Sequence, residues 1–148
     1  MPKVLDQGSN PICVPCSISA YLNWDLNSKD GNDTRDNNIN VQDIFKHGGK
    51  EDGMLFKDAF NYLISLKKLN IYALVGGIEP LKTAIELNGP CVAALPVYNS
   101  TSNDFWNGAE YEGGHAISIV GWNKEGFIIR NSWGQSFGDN GYTTLPYS

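Results

Sequence analysis

Positive charge is scarce in this chain of 148 residues. Lys and Arg number 11 against 16 Asp and Glu, giving a net charge of −5. Such a surface has no general grip on a phosphate backbone, which argues against nucleic acid as a partner. Long apolar runs are missing as well. No stretch approaches the ~18 residues that a membrane-crossing helix needs, so no membrane partner is expected. Met1-Pro2-Lys3-Val4-Leu5-Asp6 is too short and polar to read as a secretion signal. Cysteines are few and odd in number: Cys13, Cys16 and Cys91. That argues against a disulfide framework and for a reducing compartment, cytoplasmic or viral. Histidines are fewer still, His47 and His115 alone. Cys13 and Cys16 have the spacing of a redox or zinc pair, but no second such pair completes a four-ligand zinc site. A thioredoxin-like use would need a strand before the pair, and Gln7-Gly8-Ser9-Asn10-Pro11 reads as loop.

What is present describes one folded domain. Hydrophobic residues make up 41% and charged residues 18%, too apolar a mixture for a disordered chain. At this length roughly 70% of the unfolded surface can be buried. Val14, Ile18, Tyr21 and Leu22 share one face and predict a helix over Cys13 to Trp24, with Pro15 in its first turn, where the missing N–H is harmless. Asp25 to Asn38 is polar and predicts a surface loop. It is no calcium loop, because Gly31 falls one place too late and no Glu closes it. Asn40 is placed to cap a short helix, Val41 to Lys46. Phe56, Ala59, Phe60 and Leu63 form the apolar stripe of a longer one, Leu55 to Lys68. A strand is expected over Ile71 to Val75, then a helix opened by Pro80 and ended at Asn88-Gly89-Pro90.

Beyond that point the period changes to that of strands: Cys91 to Tyr98, His115 to Trp122, Phe127 to Arg130 and Tyr142 to Leu145. Asn123-Lys124-Glu125-Gly126 reads as a hairpin turn. Helices first and antiparallel strands later imply an α+β fold of one domain, 1–148. A mainly helical lobe would occupy about 1–90 and a mainly β lobe about 91–148, with a cleft between them.

Three polar residues stand out against this frame. Cys13 follows a turn-rich loop and opens a helix, and a helix N-terminus favours the thiolate, the nucleophilic form. His115 opens an apolar strand after Gly113-Gly114, which leave room beside its ring. Asn131 ends the strand that the hairpin pairs with it. A thiol, an imidazole base and a polar group that fixes the ring are the parts of an activated nucleophile.

These residues lie in recognisable surroundings. Asp6-Gln7-Gly8-Ser9-Asn10-Pro11-Ile12-Cys13 resembles the glutamine-to-cysteine segment of papain-like cysteine peptidases. Gly113-Gly114-His115-Ala116-Ile117-Ser118-Ile119-Val120-Gly121-Trp122 resembles their histidine strand. Ile128-Ile129-Arg130-Asn131-Ser132-Trp133-Gly134 is similar to their asparagine segment, and Phe137-Gly138-Asp139-Asn140-Gly141-Tyr142 to the turn after it. The resemblance implies a two-lobed papain-like fold and a thiol endopeptidase acting on peptides or proteins. Cys13 would be the nucleophile, His115 the base and Asn131 its orienter. Gln7 and the Cys13 N–H would form the oxyanion hole, and Trp133 would cover the His–Asn pair. No metal and no cofactor are implied. Gly53, Met54, Leu55, Ala94, Gly113, Gly114, Ala116 and Trp133 align with substrate-binding positions, and their small or apolar character implies an apolar anchor.

The chain also departs from that pattern. Val14 stands where the family has Trp, Pro15 follows it, and Asn10 replaces a disulfide cysteine. Cys13 and His115 are about 100 residues apart, against ~130 or more in the papain type. Compact, disulfide-free forms of this kind resemble those of bacteria and viruses. Two other readings remain open at this stage. One is a related Cys-His acyl-transfer enzyme such as an amidase; the other is a catalytically weak peptide-binding module.

Overall fold

The computed structural model describes residues 4–30 and 40–148. Among these residues four helices precede a four-stranded sheet: α1 (Cys13–Asp30), α2 (Val41–Lys46), α3 (Phe56–Ser65), α4 (Ile78–Asn88), β1 (Cys91–Val97), β2 (Gly113–Trp122), β3 (Gly126–Arg130) and β4 (Tyr142–Pro146). The strands pair antiparallel in chain order, β1-β2-β3-β4. The α+β architecture expected from the sequence is the one observed.

Strand β2 joins the two halves because both of its faces are buried. Ala116 packs with Val14, Ile18 and Leu22 of α1, and with Ile44, Ala59 and Leu63 of α2 and α3. Its neighbours Ile117 and Ile119 face the other way, against Ile85, Phe105, Phe127 and Ile129. The period of two thus assigns alternate residues of one strand to two cores. His115 has the parity of Ile117 and lies beside Phe105. A buried hydrogen bond ties the layers together where Ser118 Oγ donates to Ser17 O at 2.9 Å. Helix α1 can bury Ser17 and Ser19 because each hydroxyl donates to a carbonyl three residues back, Val14 O and Cys16 O.

Three sequence expectations needed correction. Helix α1 runs on to Asp30 rather than ending at Trp24. Nothing between Trp24 and Asp30 breaks a helix, and polarity alone does not make a loop; the rest of the expected loop, 31–38, lies outside the described residues. Helix α3 stops at Ser65, short of Lys68. Lys67 takes a left-handed φ of 57°, Lys67 N donates to Ile64 O and Lys68 N to Leu63 O, a closure that satisfies the last carbonyls. Residues 71–75 form no strand. Their backbone pairs with no other strand among the described residues, and Leu74 is 100% exposed. β propensity reflects packing on a half-buried sheet surface, and no sheet edge is supplied here.

The remaining elements agree closely. Asn40 Oδ1 caps α2 by accepting from Gln42 N at 2.9 Å. Asn123 Oδ1 accepts from Glu125 N and Gly126 N and so closes the β2–β3 hairpin. Gly126 is required there, because a Cβ would sit 2.0 Å from Leu145 O. Gly89 ends α4 with φ 86°, and a Cβ would lie 2.2 Å from the Trp24 ring.

Two truncations test this assignment. Leu63 is fully buried, so Leu63→Ala should cost about 2–5 kcal/mol. Leu74→Ser should change stability by no more than about 0.5 kcal/mol. Urea unfolding of both variants reads the difference, and a large loss for Leu74→Ser would mean that 71–75 is packed.

Candidate active site

The cleft begins with the N-terminal segment. Asp6 bridges to Trp133, Gln7 N donates to Ser132 O at 2.8 Å, and Gly134 N donates to Leu5 O at 3.0 Å. This short pairing holds the loop before α1 against the end of the sheet. Cys13 is the first residue of α1, so its backbone N–H is one of the donors that a helix leaves without an internal acceptor.

His115 and Asn131 are 5% and 3% exposed, and His115 Nε2 lies 2.6 Å from Asn131 Oδ1. The direction of this bond follows from a second one. Ser132 N also donates to Asn131 Oδ1, at 2.8 Å, and a backbone N–H can only donate. The shared atom is therefore the carbonyl oxygen, Nε2 carries the proton, and Nδ1 of the neutral ring keeps a lone pair. Burial pulls the His115 pKa below its ordinary value, while the bond to Asn131 pushes back. The Trp133 ring stacks on the imidazole at 4.6 Å and 24°. Phe105 meets it edge-on at 5.7 Å. Asn131 Nδ2 is buried with no hydrogen-bond partner among the described residues, a cost that accompanies the placement of Oδ1.

Gln7 is equally constrained. Its Oε1 accepts from Ser132 Oγ at 2.5 Å, and its Nε2 donates to Asn10 O at 3.0 Å. One amide hydrogen remains for a ligand. One turn along α1 from Cys13, burial pushes the Cys16 thiol up to about 12; the charge of Cys13 adds to the rise and a hydrogen bond with Ser132 opposes it. Burial raises Cys91 as well.

An open cavity of about 460 Å³ brings Gln7, Cys13, His115 and Trp133 together, with Gly53, Gly113 and Gly114 on its rim. The other expected substrate residues are not in its wall. Met54 packs against the helical core, Leu55 is 67% exposed, Ala94 points to solvent, and Ala116 is buried against α1. The apolar groups in its wall are Pro11, Val97 and Trp133 rather than these four. Asp52 and Glu112 line it instead, and Glu112 Oε2 accepts from Ser100 N at 3.3 Å.

Comparison with known proteins gives the family. The model of the papain family of cysteine proteases matches residues 38–147. The chain belongs to that family. Among its relatives, a gut-specific cysteine proteinase of Caenorhabditis elegans is 32% identical over 87 residues, 50% of this chain and 25% of that protein. The uncharacterized peptidase C1-like protein L477 of Acanthamoeba polyphaga mimivirus is 38% identical over 82 residues, 47% of this chain and 26% of that protein. The chain thus spans about a quarter of the length of these curated relatives. Procathepsin B S9 from Trypanosoma congolense superimposes with a TM-score of 0.79 at 18% identity, over 99% of this chain and 66% of that one. At that identity the likeness speaks for the fold.

Sequence reading missed four contributors in this family member. Ser132 was seen only as part of a motif, although its hydroxyl fixes the Gln7 amide. Phe105, 0% exposed, comes from a loop that shows no periodicity. Asp52 and Glu112 are far apart in the chain and meet only through the fold.

Removing the thiol isolates the effect of burial on the ring. In Cys13→Ala, His115 should titrate below its ordinary value of ~6.5. The unfolded chain then binds the proton more readily, so stability should be full above pH ~6.5 and fall as the pH drops through that value. NMR titration of the imidazole checks this, and a value above 6.5 would contradict it.

Proposed function

We propose that this chain is a thiol endopeptidase. The observation that carries the proposal is the 2.6 Å bond between His115 Nε2 and Asn131 Oδ1 in a cavity shared with Cys13 and Gln7. It fixes the tautomer whose Nδ1 can take a proton from a thiol. In the reading we favour, Nδ1 removes the Cys13 proton and the thiolate attacks a peptide carbonyl. Gln7 Nε2–H and the Cys13 N–H stabilise the oxyanion. The imidazolium then protonates the leaving amine, and water, activated by the same ring, releases the acyl group. Asn131 keeps the ring in place throughout.

The binding-module reading drew on Val14 and Pro15 next to the nucleophile. Both are buried, and Val14 belongs to the helical core, so neither alters the cavity. The amidase reading gains no specific support from the cavity lining. The free thiols of Cys13, Cys16 and Cys91 suit a reducing compartment, and the mimivirus relative suits a viral setting for a compact member.

The acidic lining bears on the choice of substrate. Asp52 and Glu112 are the carboxylates of the cavity, so the substrate side chain it prefers is cationic rather than apolar. Peptides with Lys or Arg should be cleaved on the order of fivefold faster than their Leu counterparts at low salt. The preference should shrink as salt screens it and fall in Glu112→Gln. A stronger preference for Leu, unaffected by salt, would refute this.

Catalytic substitutions should rank by role. Cys13→Ala should fall to background. Gln7→Ala should lose about 10²–10³ in rate, the usual cost of one oxyanion donor. Asn131→Ala should be the mildest, because a neutral amide only orients the ring. The measurement is kcat/KM on one cleavable peptide, with folding checked by circular dichroism. Cleavage that persists in Cys13→Ala would place the chemistry elsewhere.

A further inference from the structure

The second cysteine of the Cys-x-x-Cys pair has no part in peptide cleavage, yet it stands one turn from the nucleophile. Cys13 and Cys16 are the first and fourth residues of α1, and residues three apart share a helix face. Their Cα atoms are then about 5 Å apart, inside the range a disulfide spans. Cys13 opens on the cavity, whereas Cys16 is 5% exposed. Cys91 lies apart at the start of β1, its thiol directed at Gly89 O. The pair therefore consists of one thiol that solutes can reach and one held in reserve behind it.

We propose that Cys13 and Cys16 form a redox-reactive site whose co-reactant is a hydroperoxide. This rests on the reading of Cys13 as an activated thiol. The Cys13 thiolate attacks the terminal oxygen of the peroxide. The O–O bond breaks, an S–O bond forms, and the leaving oxygen takes the proton that His115 received from Cys13 and departs as alcohol or water, leaving Cys13 as a sulfenic acid. Cys16 sulfur then attacks the Cys13 sulfur. The S–O bond breaks as the S–S bond forms, and the hydroxyl leaves with the Cys16 proton as water. Two thiols lose two electrons in all, and the peroxide gains them. The disulfide occupies the nucleophile and halts cleavage, and a dithiol restores both thiols.

Two features keep the steps in order. Cys16 is buried and holds its proton, so it does not compete for the oxidant. Once Cys13 is sulfenylated, the attack is intramolecular, which offsets the low thiolate fraction of Cys16. Without a resolving thiol at this distance, further peroxide would carry Cys13 to the sulfinic acid, which dithiols do not reverse.

The test treats the intact wild-type chain with stoichiometric hydrogen peroxide and follows it by mass spectrometry. The expected result is the loss of two hydrogen masses, a peptide with an internal Cys13–Cys16 link, and activity that returns with dithiothreitol. In Cys16→Ser given excess peroxide, Cys13 should instead gain two or three oxygen atoms, and dithiothreitol should recover little activity, whereas wild type under the same excess should still recover. Oxygen addition to wild-type Cys13 without a link, or a link to Cys91, would overturn the proposal whether or not the variant folds. A parallel sample takes iodoacetamide at pH 6. Alkylation of Cys13 together with no link on peroxide treatment refutes the redox pair alone, while failure to alkylate Cys13 ahead of Cys16 and Cys91 refutes the activated thiol as well.

Discussion

The pairing of residues 5–7 with residues 132–134 is the constraint on which the site depends. It is a short antiparallel contact of backbone hydrogen bonds, yet it brings the loop before α1 to the end of β3. Asn131, Ser132 and Trp133 then act on three different partners. Asn131 holds His115, Ser132 holds Gln7, and Trp133 covers the imidazole. The helical lobe carries Cys13 and the sheet carries His115, so the chemistry proposed for this chain needs both halves in register. Ser118 and Ser17 provide a second tie at the middle of the same interface.

Burial is what gives these polar contacts their worth. His115 and Asn131 are almost wholly out of water, between Trp133 and Phe105. Hydrogen bonds there meet little competition from solvent and hold a single geometry. The same environment disfavours a charged imidazole, so the chemistry proposed for the ring draws on a thiolate beside it to support the protonated form.

Much of this was legible in the chain itself. The sheet strands announced themselves by their period and by the Asn123–Gly126 turn, and the helices by their apolar stripes. Cys13, His115 and Asn131 stood out in the chain because each sits near an element boundary, and Gln7 because of the local pattern that leads to Cys13; the fold brings Gln7, Cys13 and His115 to one cavity. Most of the errors come from dependence on distant neighbours. Whether Ile71–Val75 becomes a strand depends on a sheet edge that no local pattern reports. Asp25–Asp30 looked like loop because polarity was weighed above the absence of a helix breaker. Met54, Leu55, Ala94 and Ala116 aligned with a substrate wall, but packing turned them to the core or to solvent. Asp52 and Glu112 gave no sequence signal, because their meaning lies in facing one cavity from two lobes.

The uncovered stretch at residues 71–75 carries a cost of another kind. It is uncharged and free of proline and glycine, with Ile71 and Leu74 exposed. Such a stretch is a template onto which an identical chain can add its own backbone, the first step towards cross-β aggregation. Lys67 and Lys68 before it and Glu79 after it sit as charged gatekeepers at its ends. Glu79 is itself paired with Lys82, so colloidal behaviour in concentrated solution rests chiefly on the two lysines, remote from the candidate site, and on the ionic strength that screens them.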